Sequence, residues 1–173
     1  YCVNEKFGNK NELYELIYNN FDSYKTNENH KILSRLPIST FWTTNYDHLI
    51  EDSLVEQRKN IDVKKRDTDL CINKNNRDAV VYKMHGDKDD PEHVVITMED
   101  YDSYFINHHS FSIALSDDLR SKTFLFIGYS FNDIDFKQIL KQIKLDVGKS
   151  KRTHYCFMKE PNEQEYNNKE IYN

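Results

Sequence analysis

Three short polar motifs, each placed directly after an apolar run, hold the side chains of this sequence best suited to chemistry: Thr43-Thr44-Asn45-Tyr46-Asp47, Lys83-Met84-His85-Gly86-Asp87, and Phe126-Ile127-Gly128-Tyr129-Ser130-Phe131-Asn132-Asp133. His85 carries the side chain whose unperturbed pKa, about 6.5, suits proton transfer near neutrality. Gly86 lets the backbone turn tightly behind it. Asn45 offers an amide that can orient a small molecule without adding charge, although an asparagine here could equally cap a helix starting near Asp47. Gly128 and Ser130 lie between a strand and a helix, where free backbone N–H groups and the helix dipole favour a phosphate or ribose oxygen. An ordinary strand-to-helix turn explains that pair as well, and a lone histidine after a strand is more often structural than catalytic.

Each motif needs a rigid element in front of it. Ile38 to Thr44 is mostly β-branched or aromatic, and Leu49, Ile50 and Leu54 then recur at helical spacing, which predicts strand, turn and helix. Ala79 to Met84 is a second short apolar run. After Thr123 the run Phe124 to Ile127 is apolar on both faces, as a buried central parallel strand requires. Asn132 or Asp133 then caps a helix that buries Ile134, Phe136, Ile139, Leu140 and Ile143.

The remaining segments read more coarsely. Leu13, Leu16, Ile17 and Phe21 share a helical face, capped by Asn9 or Asn11 and ending before the polar segment Lys25 to His30. Arg58 to Asp78 is a polar excursion with a short strand near Ile61 to Val63, and Val94 to Ile96 is a brief strand. Thr97 with Asp100 caps a helix through Tyr101, Tyr104 and Phe105; Phe111, Ile113, Ala114, Leu115 and Leu119 mark another. His154 to Met158 is a last strand, and Pro161 fits the first turn of a helix. Strands alternating with helices, joined by connections too long for hairpins, predict an α/β fold: a Rossmann-like parallel sheet with helices on both faces, in three layers. Such sheets bind ligands at the carboxyl ends of their strands, where all three motifs fall.

The order, spacing and strand-end positions of the motifs together resemble the sirtuin-like NAD-hydrolase domains of bacterial anti-phage defence proteins, over about Ile38 to Leu140. The resemblance implies NAD as substrate, Asn45 and His85 as catalytic residues, and Thr44, Asp47, Gly128 and Ser130 as contacts to NAD. It sets Asn45 beside the nicotinamide ribose, Asp47 at the carboxamide, and Gly128 to Ser130 at the adenosine half. His85 would take a proton from a ribose hydroxyl or from water. The chemistry suits these residue types: cleaving the bond from C1′ to nicotinamide develops oxocarbenium charge, and an uncharged amide can place the water that attacks it. That hydrolysis needs no metal, and none is expected.

The match has departures. No Gly-x-Gly occurs in the chain, and the glycine-rich loop of the family would lie upstream of Asn11, so residues 1–173 are expected to form a single domain shortened at its N-terminus. The paired CxxC motifs of a deacylase zinc module are also missing, which favours water over an acyl-lysine as the acceptor. The expected function is NAD glycohydrolysis to nicotinamide and ADP-ribose by an effector of anti-phage defence. Two other classes stay open: sirtuin-type deacylation or ADP-ribosyl transfer to a protein, and a non-catalytic nucleotide-sensing or interaction module.

Composition sets the outer bounds. The chain has 173 residues, enough for one core, and its apolar residues are concentrated in compact runs despite a mean hydropathy of -0.86. Its 24 basic and 29 acidic residues are interspersed, leaving a net charge of -5 and no broad basic face for nucleic acid. Lys64-Lys65-Arg66, followed by Asp67 and Asp69, reads as a solvated loop in preference to a phosphate-binding patch, and Asp87, Asp89 and Asp90 read as a polar loop in preference to a metal cluster. Glu99 and Asp100 are expected at a helix start, where acidic groups are stabilising, and the His108-His109 pair on a helix surface. Cys2, Cys71 and Cys156 form neither a CxxC pair nor a disulfide framework, which points to a reducing compartment. With no apolar stretch of about 20 residues and no signal peptide, the expected location is cytoplasmic, without a membrane partner. A homo-oligomer or a flanking sensor domain is the expected assembly.

Overall fold

In the computed structural model, which describes residues 12, 14–15, 18–19, 24–129, 137–141, 143 and 152–157, each of the first two motifs follows a short parallel strand. The chain divides into two compact units, residues 1–104 and 105–173. In the first, α1 (Glu28–Arg35) leads to β1 (Thr40–Thr43), α2 (Leu49–Glu56), β2 (Ile61–Lys64) and β3 (Ala79–Lys83). The sheet order is β1-β3-β2, all parallel, with Phe41 opposite Val81 and Val63 opposite Val81. Successive residues of a strand face opposite ways, so Phe41, Val81 and Ile61 share the face on which Leu54 and Ile50 of α2 pack. Leu54 and Val81 are fully buried there. On the opposite face the only tryptophan, Trp42, stacks on Tyr82 with ring centroids 4.1 Å apart.

α1 begins inside the polar segment Lys25 to His30. Its signal is a cap: Asn27 accepts from the backbone N–H groups of Asn29 and His30, and the His30 ring accepts from the Asn27 N–H. The earlier helix expected from Leu13, Leu16, Ile17 and Phe21, with Asn9 or Asn11 as its cap, rests on positions outside the described residues.

The excursion between β2 and β3 is pinned by charge. Asp62 is buried and accepts from Arg77 at 2.6 Å and from the Lys74 N–H at 3.1 Å, with the Lys64 ammonium 3.0 Å away. Lys64 also donates to the carbonyl of Ile72. Lys64, at the end of β2, is therefore not part of a solvated loop, whereas Arg66 is exposed. Lys64 is 2% exposed, Lys65 reaches Asp87, and Arg66 pairs with Asp90 at 2.6 Å.

After β3 the chain reverses at Gly86 and returns along Pro91 to Val95, a single helical turn at Pro91–His93 preceding an extended stretch. The brief strand expected at Val94 to Ile96 does not form. Val94 and Val95 are buried, yet the Val95 N–H goes to the carbonyl of His85, in a loop, at 2.9 Å. Thr97 and Asp100 do build the expected reciprocal cap of α3 (Met98–Asp102). The helix is interrupted before α4 (Tyr104–Asn107), at Ser103, whose N–H and hydroxyl both donate to the carbonyl of Glu99.

In the second unit α5 (His109–Ser121) buries Phe111, Leu115 and Leu119, which recur every fourth residue. His109 opens this helix exposed, as expected for the histidine pair. β4 (Leu125–Ile127) pairs in parallel with β5 (Tyr155–Phe157). The expectation of a strand buried on both faces is not met among the described residues: Leu125 and Ile127 are about half exposed, and only Phe126 turns inward, near Phe124 and the edge of His154. Burial pushes the pKa of His154 down, and its Nδ1 accepts from the Phe124 N–H. Of the helix expected after the third motif, residues 137–141 and 143 are helical and Ile139 is buried; Asn132, Asp133, Ile134 and Phe136 lie outside the described residues, as does Pro161.

Gly86 has φ +90°, and a Cβ built on it would stand 2.7 Å from the His93 carbonyl oxygen and 2.9 Å from Val94 Cα. Gly128 has φ +62° but nothing within 4 Å of such a Cβ. Gly86→Ala should therefore cost at least about 2 kcal/mol and Gly128→Ala about 1 kcal/mol. Urea midpoints measure both; equal shifts would contradict the packing described for Gly86.

Candidate functional site

The final register pair of β1 and β3 is Thr43 with Lys83, and the Met84 N–H extends the ladder to the Thr43 carbonyl at 2.9 Å. Asn45 and His85 each stand two residues beyond that pair, at the carboxyl edge of neighbouring parallel strands, whose spacing is about 4.8 Å. The strand-end positions inferred for the first two motifs thus become one place on the sheet.

The side chains differ in setting. Thr44 is half-buried and Asn45 is exposed, its backbone N–H donating to Thr43 Oγ1 at 3.0 Å. Asn45 does not cap α2. The N-cap position is His48, without a side-chain cap bond, and Asp47 just before it is buried and accepts from the Leu49 N–H through Oδ1 at 3.0 Å. His85 is 3% exposed, its ring in T-shaped contact with Tyr101 and Tyr104 at centroid distances of 5.4 and 5.9 Å. Tyr104 is fixed in turn by its hydroxyl, which donates to the carbonyl of Met84.

The two loops are laced together. The Tyr46 hydroxyl donates to the Val95 carbonyl at 2.6 Å, the Val95 N–H donates to the His85 carbonyl, and the Lys88 N–H donates to the Tyr46 carbonyl at 3.0 Å. Beneath them lies a buried ion cluster that the sequence reading missed. Lys83 and Asp87 have wholly buried side chains 3.0 Å apart, Glu51 lies 3.0 Å from Lys83 Nζ, and Lys65 and His48 reach Asp87 at 3.1 and 2.9 Å. Lys83 also donates to the carbonyls of Tyr46 and Asp47. A signal for it did exist: Lys83 has the same parity as Ala79 and Val81, so it had to point under α2, and Glu51 sits three residues before Leu54 on the same helical face.

Asp87 lies in a polar loop, as read from the sequence, but its carboxylate is wholly buried. Burial pushes its pKa up, but the hydrogen bonds from His48 and the Asp89 N–H, with the charge of Lys83, outweigh this and hold the carboxyl far below the usual range. His48 is shifted upward by its bond to Asp87, against the opposing effect of burial. His48, Asp87 and Asp89 have ligand atoms close enough together to hold a cation. The oxygens of Asp87 already receive two ammonium groups and an imidazole, so positive charge is supplied there by the chain itself.

Of the other residues singled out in the sequence, Gly128 follows β4 in the second unit, with its N–H donated to the Phe157 carbonyl at 3.3 Å, and Ser130 lies outside the described residues. The edge shared by Thr44, Asn45, Asp47 and His85 is thus formed within the first unit alone.

A raised folded-state pKa means that the His48–Asp87 interaction stabilises fully below the unfolded value of about 6.5 and is lost as pH climbs through the raised value. The stability gap between the native chain and His48→Gln should be widest near pH 6 and narrow toward about pH 9. Urea titrations at both pH values test this; a gap that grows with pH would reverse the sign.

Parallel strands alternating with helices, the first and third strands ending in polar loops, define a three-layer α/β protein of the Rossmann-like class. Within that class the chain belongs to the SIR2-like domain family, whose model matches residues 39–173. It is 48% identical over 165 residues to the NAD(+) hydrolase ThsA of Cytobacillus dafuensis, covering 93% of this chain and 33% of that protein. The NAD(+) hydrolase ThsA of Bacillus cereus strain MSX-D12 is 46% identical, covering 92% and 34%, and that of Acinetobacter baumannii strain 532279 is 45% identical, covering 98% and 35%. The chain spans about a third of the length of these curated relatives.

Proposed function

We propose that this chain carries the nicotinamide-cleaving part of an NAD glycohydrolase, which converts NAD to nicotinamide and ADP-ribose. The observation that carries the reading is the register that sets Asn45 and His85 at one sheet edge, each two residues past the Thr43–Lys83 pair. The printed activity of the relatives supports the same substrate.

In this reading Asn45, exposed at the rim, orients a water toward ribose C1′. The bond from C1′ to the pyridinium nitrogen breaks with its electron pair leaving on nicotinamide, the water oxygen bonds to C1′, and His85 accepts the proton the water loses. Asp47 keeps Oδ1 on the Leu49 N–H and presents Oδ2 to the carboxamide. Thr44 lines the same rim, and the motifs' resemblance assigns the adenosine half of NAD to Gly128 and Ser130. His85 is covered in this structure, so substrate reaches its ring by displacing part of that cover; Tyr101, half-buried at the edge of the ring, is the side chain that moves. No resident metal takes part.

The motifs' resemblance to anti-phage domains supports an effector role in defence, in the cytoplasm, within an oligomer or beside a sensor domain. Among the described residues no helix is long and apolar enough to cross a membrane.

With the full-length protein and NAD, Asn45→Ala and His85→Ala should each slow nicotinamide release by about 100-fold or more. Chromatographic measurement of nicotinamide checks this, and undiminished release from both variants removes the assignment.

A further inference from the structure

A lysine at the end of an apolar strand normally carries its ammonium out to water, because a buried unpaired charge is severely penalised. Lys83 does the opposite: its side chain is wholly buried, on the α2 face of the sheet. Its Nζ is surrounded by four oxygens from three segments, Glu51 serving as an ion-pair partner. Glu51 Oε1 of α2 lies at 3.0 Å, Asp87 Oδ2 at 3.0 Å and the Tyr46 carbonyl at 3.2 Å, and the Asp47 carbonyl completes the set.

The positions of these oxygens are informative. Tyr46 and Asp47 follow Asn45 directly in the chain, and Asp87 comes two residues after His85. One ammonium therefore holds the backbone of one loop and a side chain of the other, while Glu51 fixes it to the helix beneath. We infer that Lys83 is a positioning residue, whose buried ammonium sets the separation between the loop bearing Asn45 and the loop bearing His85.

The inference rests on the NAD-cleavage reading for its kinetic consequence. Lys83 has no exposed surface, so it acts through the two loops and touches no substrate. Misplacing a water against its reacting carbon by about 1 Å can cost two orders of magnitude in rate, whereas binding of the remainder of the substrate is less sensitive. A positioning role therefore predicts a loss in kcat with little change in KM.

The test compares three variants of the full-length protein: Glu51→Gln, Lys83→Met, and the double variant Lys83→Met with Glu51→Gln. Glu51→Gln removes the ammonium's anchor but leaves its bonds to both loops, so kcat should stay within about threefold of the native enzyme even where thermal stability falls. The double variant removes the ammonium together with one of the carboxylates it neutralises, leaving Asp87 to Lys65 and His48. It should lose at least about tenfold in kcat with KM within about threefold. Amide hydrogen exchange across residues 44–48 and 85–89 should speed up in both variants lacking Lys83 and not in Glu51→Gln.

A native enzyme that releases no nicotinamide refutes the NAD-cleavage reading; faster exchange in those two loops then still supports the positional role, and unchanged exchange ends it. If the native enzyme is active, the inference alone is overturned by kcat within threefold in the double variant, or by kcat losses that follow thermal stability equally in Glu51→Gln and the double variant. A double variant that cannot fold while Glu51→Gln does confines Lys83 to stability, and overturns the inference as well.

Discussion

The ammonium of Lys83 is the constraint around which the first unit is arranged. Withdrawing a lysine and two carboxylates from water is penalised by several kcal/mol per ion, and the arrangement persists only where geometry and hydrogen bonds repay most of that. Here strand β3 supplies the cation, helix α2 and the loop after β3 supply the anions, and the loop after β1 supplies two carbonyls. A shift of α2 would part Glu51 from Lys83, and a shift of either loop would take away oxygens that surround the buried ammonium. Removing one partner of such a cluster is strongly destabilising, because it leaves a buried charge uncompensated.

The backbone of the site was legible because it follows from simple rules. The apolar runs before Asn45 and His85 became β1 and β3, and the Thr97 and Asp100 cap formed as its spacing implied. Less legible was everything carried by charge. Lys64, Lys83 and Asp87 look like surface residues by type, and burial makes them ion partners instead. Helix α1 escaped notice since a reciprocal cap between Asn27 and His30, rather than an apolar face, marks its start. At β4 the error ran the other way: a run apolar on both sides suggested a central strand, but composition reports what a strand can tolerate and not how many neighbours cover it.

The contrast between Asn45 and His85 has a physical origin in the loops themselves. After β1 the chain turns outward, with Thr43 Oγ1 accepting the Asn45 N–H, and the amide is left at the rim. Past β3 the left-handed conformation at Gly86 folds the chain back against His93 and Val94, which draws His85 inward beneath Tyr101 and Tyr104. An exposed amide and a sheltered imidazole on adjacent strands give one edge two different dielectric settings.

Trp42 sits one residue before the Thr43–Lys83 pair and lies flat against Tyr82, an interplanar angle of 12° away from parallel. As the only indole in this sequence, it gives the sheet edge an optical signature of its own, in which emission and near-ultraviolet dichroism report the spacing of β1 and β3 without any attached dye.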